Sequence, residues 1–200
     1  MTFDAAWGCS RTPLLLNTLA KYQVKSTFFL TNIWLDKYPE LAKEISDKGH
    51  EIALHSAKHP RMTDLTDEQA LYELQANAAL ITKITGQKPL LFRPPFGAYN
   101  YRIVKLIQNN GYIPIQWSID SLDWKNLSAD EIYERVTKKI APGAIILFHN
   151  DGTNTPEALE RVLEYLKKEG YEAIPVSELL YKDNFLIDYN GIQKPNRGFE

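Results

Sequence analysis

Short apolar runs alternate with longer stretches of helical periodicity along nearly the whole chain. Runs rich in branched and aromatic residues predict strands at 2–3, 24–30, 51–54, 90–92, 112–117, 144–148 and 171–174. Apolar positions at helical spacing predict helices over 12–22, 32–48, 67–85, 100–109, 128–139 and 155–170, with a last helical turn at 176–180. Thr12, Thr66, Ser128 and Thr155 stand where N-caps belong, Pro13 and Pro156 at first helical positions, and Gly49, Gly86 and Gly111 where helices should stop. Pro39 falls inside the second helical stretch and predicts a break, with the helix proper starting near Tyr38. Pro114 predicts an irregular strand over 112–117. Beyond Tyr181 the sequence turns polar, with Pro195 and Gly198 in it, so the expected division is one domain over 1–181 and a tail over 182–200.

Strands that alternate with helices imply parallel pairing through right-handed crossovers. About seven such repeats in 200 residues predict a small or incomplete (β/α) barrel, with a doubly wound open sheet as the alternative. Two hundred residues suffice for one real core. A net charge of -2 supplies no basic field, which argues against nucleic acid. The one cysteine, Cys9, excludes an internal disulfide, and no run is long and apolar enough to span a membrane. Aromatics at 12% are plentiful; core packing explains most, although flat rings also line sugar clefts. A monomer is expected.

In parallel αβ folds, functional residues collect on loops leaving the C-terminal ends of strands. The chain places Asp4 after its first predicted strand, His55 and His59 after the third, and Arg93 after the fourth. Asp120 and Asp123 follow the fifth, and His149 and Asp151 the sixth. His55 and His59, four apart with Pro60 after them, have the chemistry of a metal pair, since neutral imidazole is a common ligand for zinc. By themselves they are equally two loop histidines. Asp151-Gly152 reads as a turn, His50 as structural and Cys9 as an inert thiol, while Trp7, Trp117 and Trp124 fit core or sugar platform alike.

Five segments, in order, carry a family resemblance: Thr2-Phe3-Asp4, His55-Ser56-Ala57-Lys58-His59-Pro60, Arg93-Pro94-Pro95-Phe96-Gly97, Asp120-Ser121-Leu122-Asp123-Trp124 and Leu147-Phe148-His149. Together they resemble the motifs of the polysaccharide deacetylases of carbohydrate esterase family four. The resemblance implies that family's fold and hydrolysis of N-acetyl groups on amino sugars, with bacterial peptidoglycan or an N-acetylglucosamine oligomer as substrate. It implies a zinc-type divalent metal on His55 and His59 that polarises the amide carbonyl and acidifies water. Asp4 becomes the base, His149 the acid that protonates the leaving nitrogen, and the Phe96 backbone N–H an oxyanion donor. Arg93 would orient Asp4 and Asp123 would hold His149 charged, while Trp124 and Leu147 would shape the acetyl pocket. The expected setting is extracellular or at the cell wall. The opening Met1-Thr2-Phe3-Asp4 has no signal-peptide pattern, so an export segment would have been removed or lie upstream.

One position departs from the family. Its first motif carries two consecutive aspartates, the second a metal ligand, and here Ala5 follows Asp4. Catalytic zinc takes three protein ligands plus water. Water in the vacant position, a substitute such as Cys9, or loss of the metal are the three outcomes. A working site completed by water is the expectation, because Asp4, Arg93, Asp123 and His149 are all present. The alternatives are an impaired sugar-binding module and a C–N hydrolase of cyclic amides or imides on the same scaffold. Imidazoles of ordinary pKa, about 6.5, predict metal affinity that fades below that pH.

Overall fold

The computed structural model describes residues 1–196; Gly198, counted above in the tail, lies outside the described residues. Seven strands form one sheet: β1 (Thr2–Ala5), β2 (Thr27–Leu30), β3 (Glu51–Leu54), β4 (Leu91–Phe92), β5 (Ile113–Pro114), β6 (Ile119–Asp120) and β7 (Ile146–His149). Their order is β5-β4-β3-β2-β1-β7-β6, and every neighbouring pair is parallel. Helices α1 (Thr12–Lys21), α2 (Asn32–Lys37), α3 (Pro39–Asp47), α4 (Asp67–Thr85), α5 (Tyr101–Asn109) and α6 (Ala129–Thr137) supply the crossovers, and α7 (Thr155–Lys168) follows β7.

The curl follows from connectivity. β5 and β6 are the two outer strands of the sheet, yet only residues 115–118 join them. Such a link reaches roughly 18 Å at full stretch. Laid flat, seven strands would put their edges about 29 Å apart. The sheet therefore bends into an incomplete barrel, with residues 115–118 bridging the gap.

Alternation along each strand then makes two interiors. Phe3, Phe28, Ile52, Phe92 and Phe148 face the helices and join Leu15, Leu19, Ile45, Leu74, Ile103 and Leu159 in the main core. Phe3 stacks between Phe28 and Phe148 at ring separations of 4.9 Å and 5.8 Å. Each such fully buried side chain contributes about 1.5–3 kcal/mol. The enclosed face holds a small cluster of Phe29, Ala53, Leu91, Ile115 and Val176. Buried polar groups share that face: Thr2, Asp4 and Thr27 occur at alternate positions with the helix-facing Phe3 and Phe28. The barrel thus has a polar interior that opens at the strand ends.

Two capping boxes start helices as their sequences predict, Thr66 with Gln69 on α4 and Ser128 with Glu131 on α6. Gly86 stops α4 in the left-handed conformation. The chain does break at Tyr38 and Pro39, into α2 and α3.

Other expectations are corrected. Thr12 and Thr155 are first helical residues whose hydroxyls bond elsewhere, to the Asn150 carbonyl and the Asp123 carboxylate. The run 112–117 is not one strand, because β5 ends at Pro114, which has no N–H to extend a ladder, and the next strand begins at Ile119 on the far edge. Residues 171–174 form no strand. Both sides of β7 are already paired, with β1 and β6, so no edge is left for them. They lead instead to the turn α8 (Val176–Leu179), where the Val176 and Ser177 amides donate to Thr27 Oγ1 (2.8 Å) and Glu51 Oε2 (3.2 Å) at the N-terminal ends of β2 and β3. This segment closes the bottom of the barrel.

Within the expected tail, β8 (Phe185–Ile187) and β9 (Gln193–Pro195) form an antiparallel hairpin. Asp188 accepts from the Asn190 and Ile192 amides at its tip, so the polar residues there are turn chemistry. Among the described residues, no helix is long and apolar enough to cross a membrane.

Candidate functional site at the strand ends

Asp4 occupies the centre of the open end, one residue before β1 finishes. Arg93, immediately after β4, is completely buried inside the barrel. Its Nη1 donates to Asp4 Oδ1 at 2.7 Å and to Thr2 Oγ1 at 2.9 Å, and its guanidinium carbon lies 4.0 Å from the Phe29 ring centroid. Burial alone would raise the Asp4 pKa; Arg93 and the neighbouring histidines outweigh it and hold the carboxylate below its ordinary value.

His55 begins the loop after β3 and is buried. Its Nδ1 donates to the Arg93 carbonyl at 2.8 Å, which fixes the tautomer and leaves the Nε2 lone pair facing Asp4 Oδ2, 3.5 Å away. Burial lowers its pKa, keeping the ring neutral. His59 lies against it with ring centroids 5.0 Å apart, between the rings of Trp7 (5.0 Å) and Phe96 (4.7 Å). Burial, with His55 beside it, pushes His59 down to about 4.

On the other side, β7 delivers His149. Its Nδ1 donates to Asp123 Oδ1 at 2.7 Å and its backbone N–H to Asp123 Oδ2 at 2.8 Å. Thr155 Oγ1 gives that second oxygen another bond at 2.7 Å. Burial disfavours a charged imidazole here, but the bond and charge of Asp123 prevail and raise the His149 pKa. Gly152 is packed so close that a Cβ would lie 2.2 Å from Thr155 Oγ1 and 3.1 Å from Asp123 Oδ2, so Asp151-Gly152 is more than a turn.

Phe96 and Trp124 stand at the rim, 59% and 55% exposed, and Trp7 is 62% exposed. Leu147 is buried on the same strand face as His149, in register with Thr2. Trp117 is half-buried, 5.6 Å from the Arg93 guanidinium carbon. His50 is distant from this group; its Nδ1 accepts from the Ser26 amide at 3.2 Å. Non-glycine residues in the left-handed region gather here: Ser56, His59, Phe96 and Leu122 have φ of 72°, 56°, 61° and 53°. Such backbone strain concentrates at ligand sites.

Two supports of this loop carry no motif. From α4, Asn77 Oδ1 accepts the His55 amide at 2.8 Å and Glu73 Oε2 the Lys58 amide at 2.7 Å. They are four apart on one helix face, grouped with Ala70, Leu74 and Ile81 in the buried stripe. A buried carboxylate and amide within an apolar stripe are the signal that could have found them.

The donor set does not fit a three-ligand metal site. His55 offers one ring nitrogen, and His59 is the second imidazole. Ala5 is buried among Phe3 and the other apolar residues of the main core and has no donor. Cys9 is half-buried against that same core. Among the described residues, no three His, Cys, Asp or Glu side chains converge on a point that could hold an ion.

The strand ends of a parallel incomplete barrel thus carry a carboxylate–arginine pair and an aspartate–histidine pair. The chain belongs to the polysaccharide deacetylase family: the family model described as "Polysaccharide deacetylase" matches residues 1–115, more than half its length. It is 34% identical over 186 residues to the peptidoglycan-N-acetylmuramic acid deacetylase PdaA of Bacillus subtilis, covering 91% of this chain and 71% of that one. It superposes at a TM-score of 0.87 and 36% identity on a wild-type CE4 family pseudoenzyme from Bacillus anthracis, covering 90% of this chain and 64% of that one. A mutant of that pseudoenzyme with restored enzymatic activity is likewise similar, at a TM-score of 0.87 and 38% identity, covering 90% of this chain and 66% of the other. The chain thus spans slightly less than two thirds of those two structures.

Proposed function

We propose that this domain binds N-acetylated amino-sugar chains, of the peptidoglycan type, across its strand-end rim, and that its deacetylase chemistry is impaired. The observation that carries this reading is Ala5. The acid–base pairs Asp4–Arg93 and His149–Asp123 are formed, but the position that should complete the metal site has no donor. The likeness to a CE4 family pseudoenzyme supports it. So does the open rim, whose exposed Trp7, Phe96 and Trp124 suit an extended glycan better than an enclosed cyclic amide.

Deacetylation is the second reading, favoured by the intact pairs and by the likeness to PdaA. In that case Asp4, held ionised by Arg93, would take a proton from water, and His149, held charged by Asp123, would give one to the departing amine. Either role would have the domain act at the cell wall, where such polymers lie.

Titration calorimetry with N-acetylglucosamine oligomers and peptidoglycan fragments, run beside an acetate assay with zinc present, separates the two. Binding without acetate supports the proposal. Acetate release that Asp4→Asn or His149→Ala abolishes supports deacetylation, and absence of binding removes both.

A further inference from the structure

Three cations stand exposed around the site. Lys58, Arg61 and Lys125 are exposed around the site, and among the described residues none forms an ion pair. Several acids nearby are engaged in hydrogen bonds of their own. Asp4 and Asp123 hold Arg93 and His149; Asp120, Asp151 and Glu73 accept from the Leu122, Arg11 and Lys58 amides. These carboxylates keep their charge, but among the described residues none of them pairs with Lys58, Arg61 or Lys125, whose side chains are left to face a ligand.

Two of these cations sit on aromatic rings. The Arg61 guanidinium carbon is 5.4 Å from the Phe96 ring centroid, and Lys125 Nζ is 5.1 Å from that of Trp124. Phe96 touches His59, and Trp124 follows Asp123, the partner of His149. The two ring-and-cation pairs therefore flank the site on its two sides. An exposed ring offers a flat apolar face to a pyranose, and a cation beside it reaches an anion only a few ångströms from that face. An anion at the end of a long peptide or phosphate chain needs no such pairing.

We infer that Arg61 and Lys125 select glycans whose sugar rings themselves bear carboxylates, of the N-acetylmuramic type, over neutral N-acetylglucosamine polymers. The inference rests on the sugar-binding reading and adds a specificity to it. Both side chains are exposed, so replacing them should leave the fold intact. Exposed ion pairs are individually weak and screened by salt, and two of them together account for about a tenfold preference at low ionic strength.

The experiment compares peptide-free alternating N-acetylglucosamine–N-acetylmuramic acid tetrasaccharide with neutral N-acetylglucosamine tetrasaccharide, by titration calorimetry in low salt and in 0.5 M salt. The expected result is about tenfold tighter binding of the acidic chain, a ratio that collapses towards one in high salt and in the Arg61→Gln/Lys125→Gln variant. Equal affinities, or a preference that survives the double substitution, would overturn the inference while leaving sugar binding in place. Failure of both oligomers to bind would overturn it together with the reading beneath it.

Discussion

Removing Arg93 should damage the protein chiefly by stranding Asp4. The guanidinium is wholly inside the barrel, and among the described residues Asp4 Oδ1, at 2.7 Å, is its only charged partner. In Arg93→Met the thioether keeps apolar contact with Phe29, and Thr2 Oγ1 retains its bond to the Ile146 carbonyl at 2.7 Å. What is lost is compensation for a buried carboxylate, which costs about 3–5 kcal/mol. That corresponds to a midpoint lower by roughly 6–20 °C for a domain of this size. In the double variant Asp4→Asn/Arg93→Met both charges are gone, so its loss should be smaller than that of Arg93→Met alone. Urea unfolding of the wild type, both single variants and the double variant at pH 7 measures this. The signs with pH also differ. Wild-type Asp4 has a depressed pKa, so its contribution is present above the unfolded value of about 3.9 and is lost as pH falls through the folded value. Without Arg93 the folded pKa rises instead, so the variant's deficit should shrink on mild acidification. A loss under about 1 kcal/mol at pH 7, or a deficit unchanged by adding Asp4→Asn, would refute the reasoning.

Asp123→Asn should lower the His149 pKa, because burial is then opposed only by the more distant charges of Asp4 and Asp120; proton NMR of the imidazole reads this directly. The same pair contributes wild-type stability below the unfolded histidine pKa of about 6.5, lost as pH rises through the raised folded value, and His149→Gln should flatten that slope in urea titrations. Any zinc affinity should hold well below about pH 6.5, since burial lowers the pKa of both imidazoles, that of His59 to about 4. Competition titrations with a chromophoric chelator check it, and loss already near pH 6.5 would exclude these rings as the ligands. Ala5→Asp places a carboxylate at a fully buried position, so it should lower the midpoint in chelator and regain it on adding zinc. Thermal scans with and without the metal show whether the two move together.

The alternating pattern revealed most of the barrel, because each strand and helix carries its own period. It ran β5 on to Trp117 and missed β6 at Ile119–Asp120, since only the closure of the sheet puts residues 119–120 on the opposite edge. It also assigned a strand to 171–174 where pairing partners were already taken, a fact no local sequence contains. At the site, motif order brought Asp4, His55, His59, Arg93, Asp123 and His149 into view, and the structure gathers them at one end. Thr155 was legible only as a cap, and Glu73 and Asn77 only as helix positions, because their roles depend on a loop contacted across space. The imidazole pKa values shift for the same reason: burial is a property of the fold.

The central claim is recognition of an amino-sugar chain by a site one donor short of its metal. Its most direct test is time-resolved acetate release from N-acetylated peptidoglycan oligomers, with wild-type protein and Ala5→Asp side by side in saturating zinc. The account predicts release near background from the wild type, despite measurable binding of the oligomer, and a clear rise in Ala5→Asp that His149→Ala abolishes. Steady release from the wild type, sensitive to His149→Ala and unimproved by Ala5→Asp, would contradict it.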